Sequence, residues 1–141
     1  RPSHSSGLQK SSLYRRVVQG RKMNFKIQNV FHVVFFFRIV AADFKKRKGQ
    51  YHRLSLVLPQ EGIILHWADD YGQVDFLLLL THPQRTLITL IEDDEKRAIA
   101  EQSYITRIRK IQYYKTLSEG VSYDWVVDTR GEDWTVRQLG N

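Results

Sequence analysis

Cysteine is absent from the 141 residues, so the fold contains no disulfide and no metal site with thiolate ligands. The chain also lacks the G-x-S-x-G motif of hydrolases, the H-x-x-x-x-D motif of acyltransferases and the P-loop of NTPases. His66 and His82 have no spaced partners of the kind that a zinc site requires. These absences argue against a hydrolase, acyltransferase, NTPase or zinc site within the sequence.

Long apolar runs are also absent. The longest covers residues 30–42, thirteen positions interrupted by His32 and Arg38, whereas a bilayer span needs about 20. Its β-branched and aromatic residues favour a buried or edge strand, with a short buried helix as the alternative. A basic cluster follows at once, and its members are Lys45, Lys46, Arg47 and Lys48. An interfacial membrane anchor has this pattern, but a core element followed by a solvated charge run is the favoured interpretation.

Acidic residues are nearly missing from the first part of the chain. Residues 1–54 hold thirteen Lys and Arg against the single acid Asp43, and residues 55–141 hold nine against fourteen acids. The change divides a basic N-terminal segment, residues 1–54, from a second region, residues 55–141. Residues 1–22 are rich in Ser, Arg and Gly and begin without Met, so we expect a processed, truncated or excised chain. Three interpretations stay open for them: a disordered tail or linker, an organelle transit peptide, or an arm that binds nucleic acid or anionic membrane.

The organisation of the second region centres on residues 63–94. An apolar run at 63–65 leads into a polar turn that is followed by one glycine, Gly72. A second apolar run ends before Pro83, and a third covers residues 87–91. The lengths and flanks predict strand, turn, helix and strand. Such a unit is a right-handed parallel crossover, and ligands of these folds bind at the carboxyl ends of the strands. Those ends are residues 66–70 and 92–93.

The remaining segments extend this pattern. Residues 51–58 read as an approach to the first strand. We predict a helix over 93–109, strands at 110–115 and 123–129, and the start of another helix at 130–141. The fold class is therefore α/β, a partial doubly wound parallel sheet with strand order 3-2-1-4.

The ordered series of motifs resembles the first half of a class I S-adenosylmethionine-dependent methyltransferase. It is most similar to the methyltransferase-like domain fused to lysophospholipid acyltransferase and exporter modules in large bacterial polypeptides. That family carries a segment like L-P-x-x-G-x-I-L-D-x-G-x-G-Y-G, then P-x-R, then D-E-E-K-I-A-x-A. The counterparts here cover about residues 55–130, and they are Leu58, Pro59, Gly62, Ile64, Leu65, Tyr71, Gly72, Pro83, Arg85 and residues 94–100.

The resemblance implies a Rossmann-like fold and an S-adenosylmethionine site, but the first turn departs from the family. Ala68 and Asp70 stand where the first two glycines belong, and His66 stands where an acid is usual. The implied cofactor-binding positions are His66, Ala68, Asp69, Asp70, Gly72, Glu92 and Asp93. No catalytic residue is assigned. The expected function is a degenerate methyltransferase-like module, non-catalytic or weakly cofactor-binding, within a larger polypeptide.

Two other functions compete with this expectation. The acids at 69, 70 and 92–94 could hold Mg²⁺, although helix caps and solvated turn acids are the favoured interpretation and no metal is expected. In the alternative from another class, a non-enzymatic module docks on anionic lipid or, less favoured, nucleic acid through its basic segment and the polyanion-binding residues 45–48. We expect a cytoplasmic location, and membrane association stays open as an alternative.

Overall fold

A computed structural model describes residues 25–103 and 111–139. Four helices and five strands follow one another along these residues. The helices are α1 (Phe25–Lys46), α2 (Lys48–Val57), α3 (Gln73–Thr81) and α4 (Asp94–Glu101). The strands are β1 (Gly62–Ala68), β2 (Arg85–Ile91), β3 (Gln112–Tyr114), β4 (Trp125–Asp128) and β5 (Thr135–Gln138).

The strands form one sheet in the order β3-β2-β1-β4-β5. β1 pairs in parallel with both β2 and β4, and β2 pairs in parallel with β3. The predicted α/β class and the order 3-2-1-4 are therefore confirmed. α3 connects β1 to β2, as expected for a strand–helix–strand crossover.

The end of the chain differs from the prediction. The helix expected at 130–141 is wrong, because β5 pairs antiparallel with β4 from Thr135 to Gln138. The connection from Asp128 to Thr135 is too short for a crossover helix, so the chain turns back beside β4. Trp134 anchors this turn, since it is buried and its ring lies edge-on to Tyr51 with centroids 5.0 Å apart.

The strand favoured for residues 30–42 is also wrong. The whole segment lies within α1, and α2 replaces the approach segment expected at 51–58. In α1 the residues Phe35, Phe36, Ile39 and Val40 are buried, a spacing that places them on one side of a helix. The gain from burying that side outweighs the strand preference of β-branched and aromatic residues, which depends strongly on context.

The first two helices share one core with the sheet. Phe36 of α1 and Leu54 of α2 belong to the same buried cluster as Ile64 of β1 and Val127 of β4. Phe36 also meets Phe76 of α3 edge-to-face, with ring centroids 5.5 Å apart. The described part of the basic segment is thus packed onto the α/β region. Among the residues described, no helix has the length and apolar character to cross a membrane.

The predicted helix over 93–109 begins as expected. The carboxylate of Asp93 accepts a hydrogen bond from the Lys96 backbone amide at 2.9 Å, which caps the start of α4. Asp94 and Glu95 occupy its first turn, where the helix dipole favours negative charge. α4 ends at Glu101. Residues 104–109 of this predicted helix lie outside the described residues, as do residues 1–22.

Candidate functional site

The carboxyl ends of the central strands bring together most of the residues predicted for the site. Ala68 ends β1, Glu92 and Asp93 follow β2, and Thr129 follows β4. Parallel pairing places Ala68 opposite Ile91, so the turn after β1 and the acids after β2 lie at one edge of the sheet.

The turn between β1 and α3 is filled by the side chain of Asp70. One oxygen of its buried carboxylate accepts from the Gly72 backbone amide and the other from the Val74 amide, both at 3.2 Å. The Tyr71 amide donates to the side chain of Gln73 at 2.7 Å. Three backbone amides of this turn are therefore already bonded to the chain's own side chains.

Burial has a cost for the Asp70 carboxylate. Desolvation raises the pKa of Asp70 from 3.8 to about 6, Asp75 adds to the rise, and His66 and the two amide hydrogen bonds oppose it. The carboxylate that caps this turn therefore changes charge close to neutral pH rather than near pH 4.

Gly72 has a packing role in this turn. Its φ of 93° lies in the left-handed region that favours glycine. A Cβ at this position would meet the Tyr113 hydroxyl at 3.1 Å and the Ala100 Cβ at 3.3 Å. The missing side chain thus lets the start of α3 approach β3 and α4 closely.

Beneath the turn lies a buried chain of hydrogen bonds centred on His66. Its Nδ1 lies 2.7 Å from the Asp75 carboxylate, and its Nε2 lies 2.7 Å from the Thr129 hydroxyl. Thr89 donates its hydroxyl to the other Asp75 oxygen at 2.7 Å. Because a carboxylate only accepts hydrogen bonds, the Nδ1 of His66 carries a proton. The network ties β1, α3, β2 and the end of β4 together.

The charge of this network is set by Asp75. Burial alone would lower the pKa of His66, but the charge and hydrogen bond of Asp75, with Asp70 and Asp128 further away, raise it above its ordinary value. The imidazole beside the carboxylate therefore keeps its positive charge to a higher pH than a free histidine does.

The network has the hydroxyl, imidazole and carboxylate of a nucleophilic triad in Thr129, His66 and Asp75. Its burial argues for a structural role. His66 and Asp75 are both 0% exposed, and Thr129 is 7% exposed. A substrate atom cannot reach the imidazole in this conformation, so the network stabilises the sheet and α3.

Three of the four exposed acids at the strand ends, Asp69, Asp93 and Asp94, are engaged in helix capping or ion pairs. Asp69 pairs with Lys96 at 2.8 Å, and Asp94 pairs with Arg97 at 2.7 Å. Asp93 caps α4, and Glu92 is exposed. Within residues 25–103 and 111–139, no group of three or more potential ligands is arranged to hold a metal ion.

A second feature of this edge was not predicted from the sequence. The Arg130 guanidinium lies over the Trp67 ring, 4.5 Å from its centroid, and pairs with Asp128 at 2.7 Å. The hydrogen bond from Arg130 lowers the pKa of Asp128. The guanidinium thus covers the indole beside the turn in a cation–π contact.

In comparisons with known proteins, no family description, no curated protein and no solved structure matches this chain. Two carboxylates, Asp69 and Asp70, stand in the turn, and the amides at the start of α3 are bonded. The carboxylate of S-adenosylmethionine needs free hydrogen-bond donors, and these residues do not offer them.

The polyanion-binding residues predicted from the sequence separate into two groups. Lys45, Lys46 and Lys48 are exposed. Arg47 instead pairs with Asp43 at 3.0 Å and lies 5.9 Å from the centroid of the Trp134 ring. Three of the four side chains are thus directed to solvent, and Arg47 stabilises the junction of α1, α2 and the loop before β5.

Proposed function

We propose that the chain is a degenerate methyltransferase-like module within a larger polypeptide, non-catalytic and at most a weak binder of S-adenosylmethionine. The parallel order β3-β2-β1-β4, with α3 starting at the end of β1, supports the scaffold part of this proposal. Many unrelated proteins of the doubly wound type share that order, so the fold alone does not indicate a function. The support for weak or absent cofactor binding comes from the residues of the site.

One observation supports weak or absent cofactor binding. Two backbone amides of the turn after β1 are already hydrogen-bonded to a side chain of the same turn. In nucleotide-type sites a helix N-terminus offers free amides to a negatively charged group. Here the Asp70 carboxylate accepts from two of them, Gly72 and Val74. A ligand carboxylate would have to displace the Asp70 carboxylate, which is covalently tethered to the chain. The side chain of Asp70 thus competes with any anionic ligand at this turn.

Titration with S-adenosylmethionine tests the proposal through the fluorescence of Trp67, which lies at the end of β1 beside the turn. We expect no saturable change below about 100 µM ligand, equivalent to a binding free energy weaker than about −5.5 kcal/mol. The variant Trp67→Phe is the control for the reporter, because Trp125 and Trp134 would still respond to non-specific effects.

Opening the turn is the complementary experiment. Asp70→Gly releases both amides and removes one negative charge, so we expect affinity to rise by about one to two powers of ten, where each power corresponds to about 1.4 kcal/mol. Ala68→Gly together with Asp70→Gly restores both missing glycines. Asp124→Ala is a matched control, since that carboxylate also accepts from a backbone amide, Ile63, but at the opposite end of β1.

A different pair of results would contradict the proposal. If the unaltered chain binds S-adenosylmethionine in the micromolar range and Glu92→Ala or Asp93→Ala weakens that binding, the site is a working cofactor site. Asp70→Asn covers the case in which Asp70→Gly does not fold, because the amide keeps the shape of the cap and still removes the charge.

A further inference from the structure

An apolar stripe runs along α1 next to its buried side. Phe37 packs edge-to-face on Phe76 with ring centroids 5.4 Å apart. The Phe44 and Tyr51 rings lie 5.6 Å apart, yet Phe37 and Phe44 keep a large exposed fraction. Val34, Phe37 and Phe44 are 51%, 42% and 44% exposed, and Ala41 between them is exposed too. The four residues are spaced three or four positions apart, so they lie on one side of the helix. Exposed aromatic residues in such a row are unusual on a surface that contacts only water.

Basic residues border the stripe on the same exposed side. Arg38 and Lys45 lie beside it by helical position, and Lys46 and Lys48 follow at the end of the helix. All four are exposed. Among the residues that the structure describes, none of the four pairs with an acid, in contrast to the neighbouring Arg47. Apolar surface and uncompensated positive charge therefore occur together.

We propose that this face of α1 docks on an anionic lipid surface. Phe37 and Phe44 would enter the boundary between headgroups and acyl chains, while Arg38, Lys45 and Lys48 contact the negatively charged headgroups. A lipid surface offers both the apolar layer and the negative charge that this face complements, whereas a nucleic acid backbone matches only the charge. None of these residues belongs to the turn after β1.

The absence of cysteine makes a site-specific probe available. An environment-sensitive fluorophore on Val34→Cys reports the polarity at the N-terminal end of the stripe in the full chain. On addition of vesicles of phosphatidylcholine with phosphatidylserine, we expect a blue shift and a rise in intensity. The same fluorophore on Ser122→Cys, an exposed residue in the loop between β3 and β4, should show neither change.

Charge variants test the basic border without disturbing the core. Each lysine or arginine near a membrane surface changes the binding constant roughly fivefold, so Arg38→Gln with Lys45→Gln should weaken vesicle binding about 25-fold. Lys115→Gln with Arg137→Gln removes the same charge near the two edge strands and should have a much smaller effect. Binding should also fall as salt rises, because surface charges are screened.

Several results would overturn the docking proposal. Equal binding to vesicles of phosphatidylcholine alone, or a fluorophore at position 34 that stays in water on anionic vesicles, excludes it. A spectral change that depends on protein concentration without vesicles would assign the stripe to contact between two copies of the chain. Tight binding to RNA with no response at position 34 would assign the basic border to nucleic acid instead.

Discussion

Removing the Asp75 carboxylate should strongly destabilise the fold. This side chain is 0% exposed and accepts from both the Nδ1 of His66 and the hydroxyl of Thr89, each at 2.7 Å. Asp75→Ala leaves the imidazole without its counter-charge and the hydroxyl without its acceptor. Breaking a buried charged pair by removing one partner costs about 3–5 kcal/mol, which is a large share of the 5–15 kcal/mol typical of a domain.

Guanidinium chloride unfolding at pH 7, followed by circular dichroism and tryptophan fluorescence, measures this loss. Asp75→Asn should lie between the wild type and Asp75→Ala, since the amide keeps one acceptor oxygen. Asp128→Ala is the control, because its pair with Arg130 is partly exposed and such pairs contribute at most about 1 kcal/mol. A loss below about 1 kcal/mol for Asp75→Ala would refute the account of His66 as part of a stabilising buried pair.

Other perturbations follow from burial, charge and backbone geometry. Leu79→Ala should cost about 2–5 kcal/mol in the same unfolding assay, whereas Leu80→Ala, at a side chain 62% exposed, should cost under about 0.5 kcal/mol. The pKa values of Asp70 and His66 are both raised on folding, so the folded state binds more protons, and stability measured across pH should decline from about pH 4 to above pH 6.5. Asp70→Asn should remove the acidic part of that decline, and an unchanged profile would contradict the assignment. Gly72→Ala should lower the midpoint of thermal unfolding, because a left-handed backbone costs a non-glycine residue about 1–2 kcal/mol and the new Cβ is crowded by its neighbours.

The sheet could be predicted because its strands are short apolar runs bounded by turn residues. The stretch from β1 to β2 shows this best, since Gly72 and Pro83 mark the two ends of α3. The antiparallel β5 could not be predicted in the same way. Its four residues carry little apolar pattern, and the strand is positioned by pairing with β4 and by the buried Trp134.

The first helix shows where local preference misleads. Residues 30–42 are rich in Val, Ile and Phe, which favour strands in isolation. The pairs Phe35–Phe36 and Ile39–Val40, however, recur at the helical period. Packing of this side against Phe76 and the sheet decides the conformation.

At the site, the sequence places the right segments together but not the roles of their side chains. Asp70 and Asp93 were predicted at the strand ends, and both serve as caps. The sequence analysis did not single out Asp75. It is a lone acid inside the apolar run 74–80, and a buried polar residue needs a hydrogen-bond partner. The lone histidine of β1, His66, is that partner. Their pairing depends on how α3 lies on the sheet, which spacing alone does not determine.

The central claim is that the amides of the turn after β1 are occupied by the chain itself. A nitrogen–proton correlation spectrum of the unaltered chain, recorded while S-adenosylmethionine is added, reads the Gly72 and Val74 amides directly. The account predicts that both signals stay in place up to about millimolar ligand, where the binding free energy would be only about −4 kcal/mol. Saturable shifts of these two amides at micromolar ligand would contradict it, because they would show that the ligand displaces Asp70.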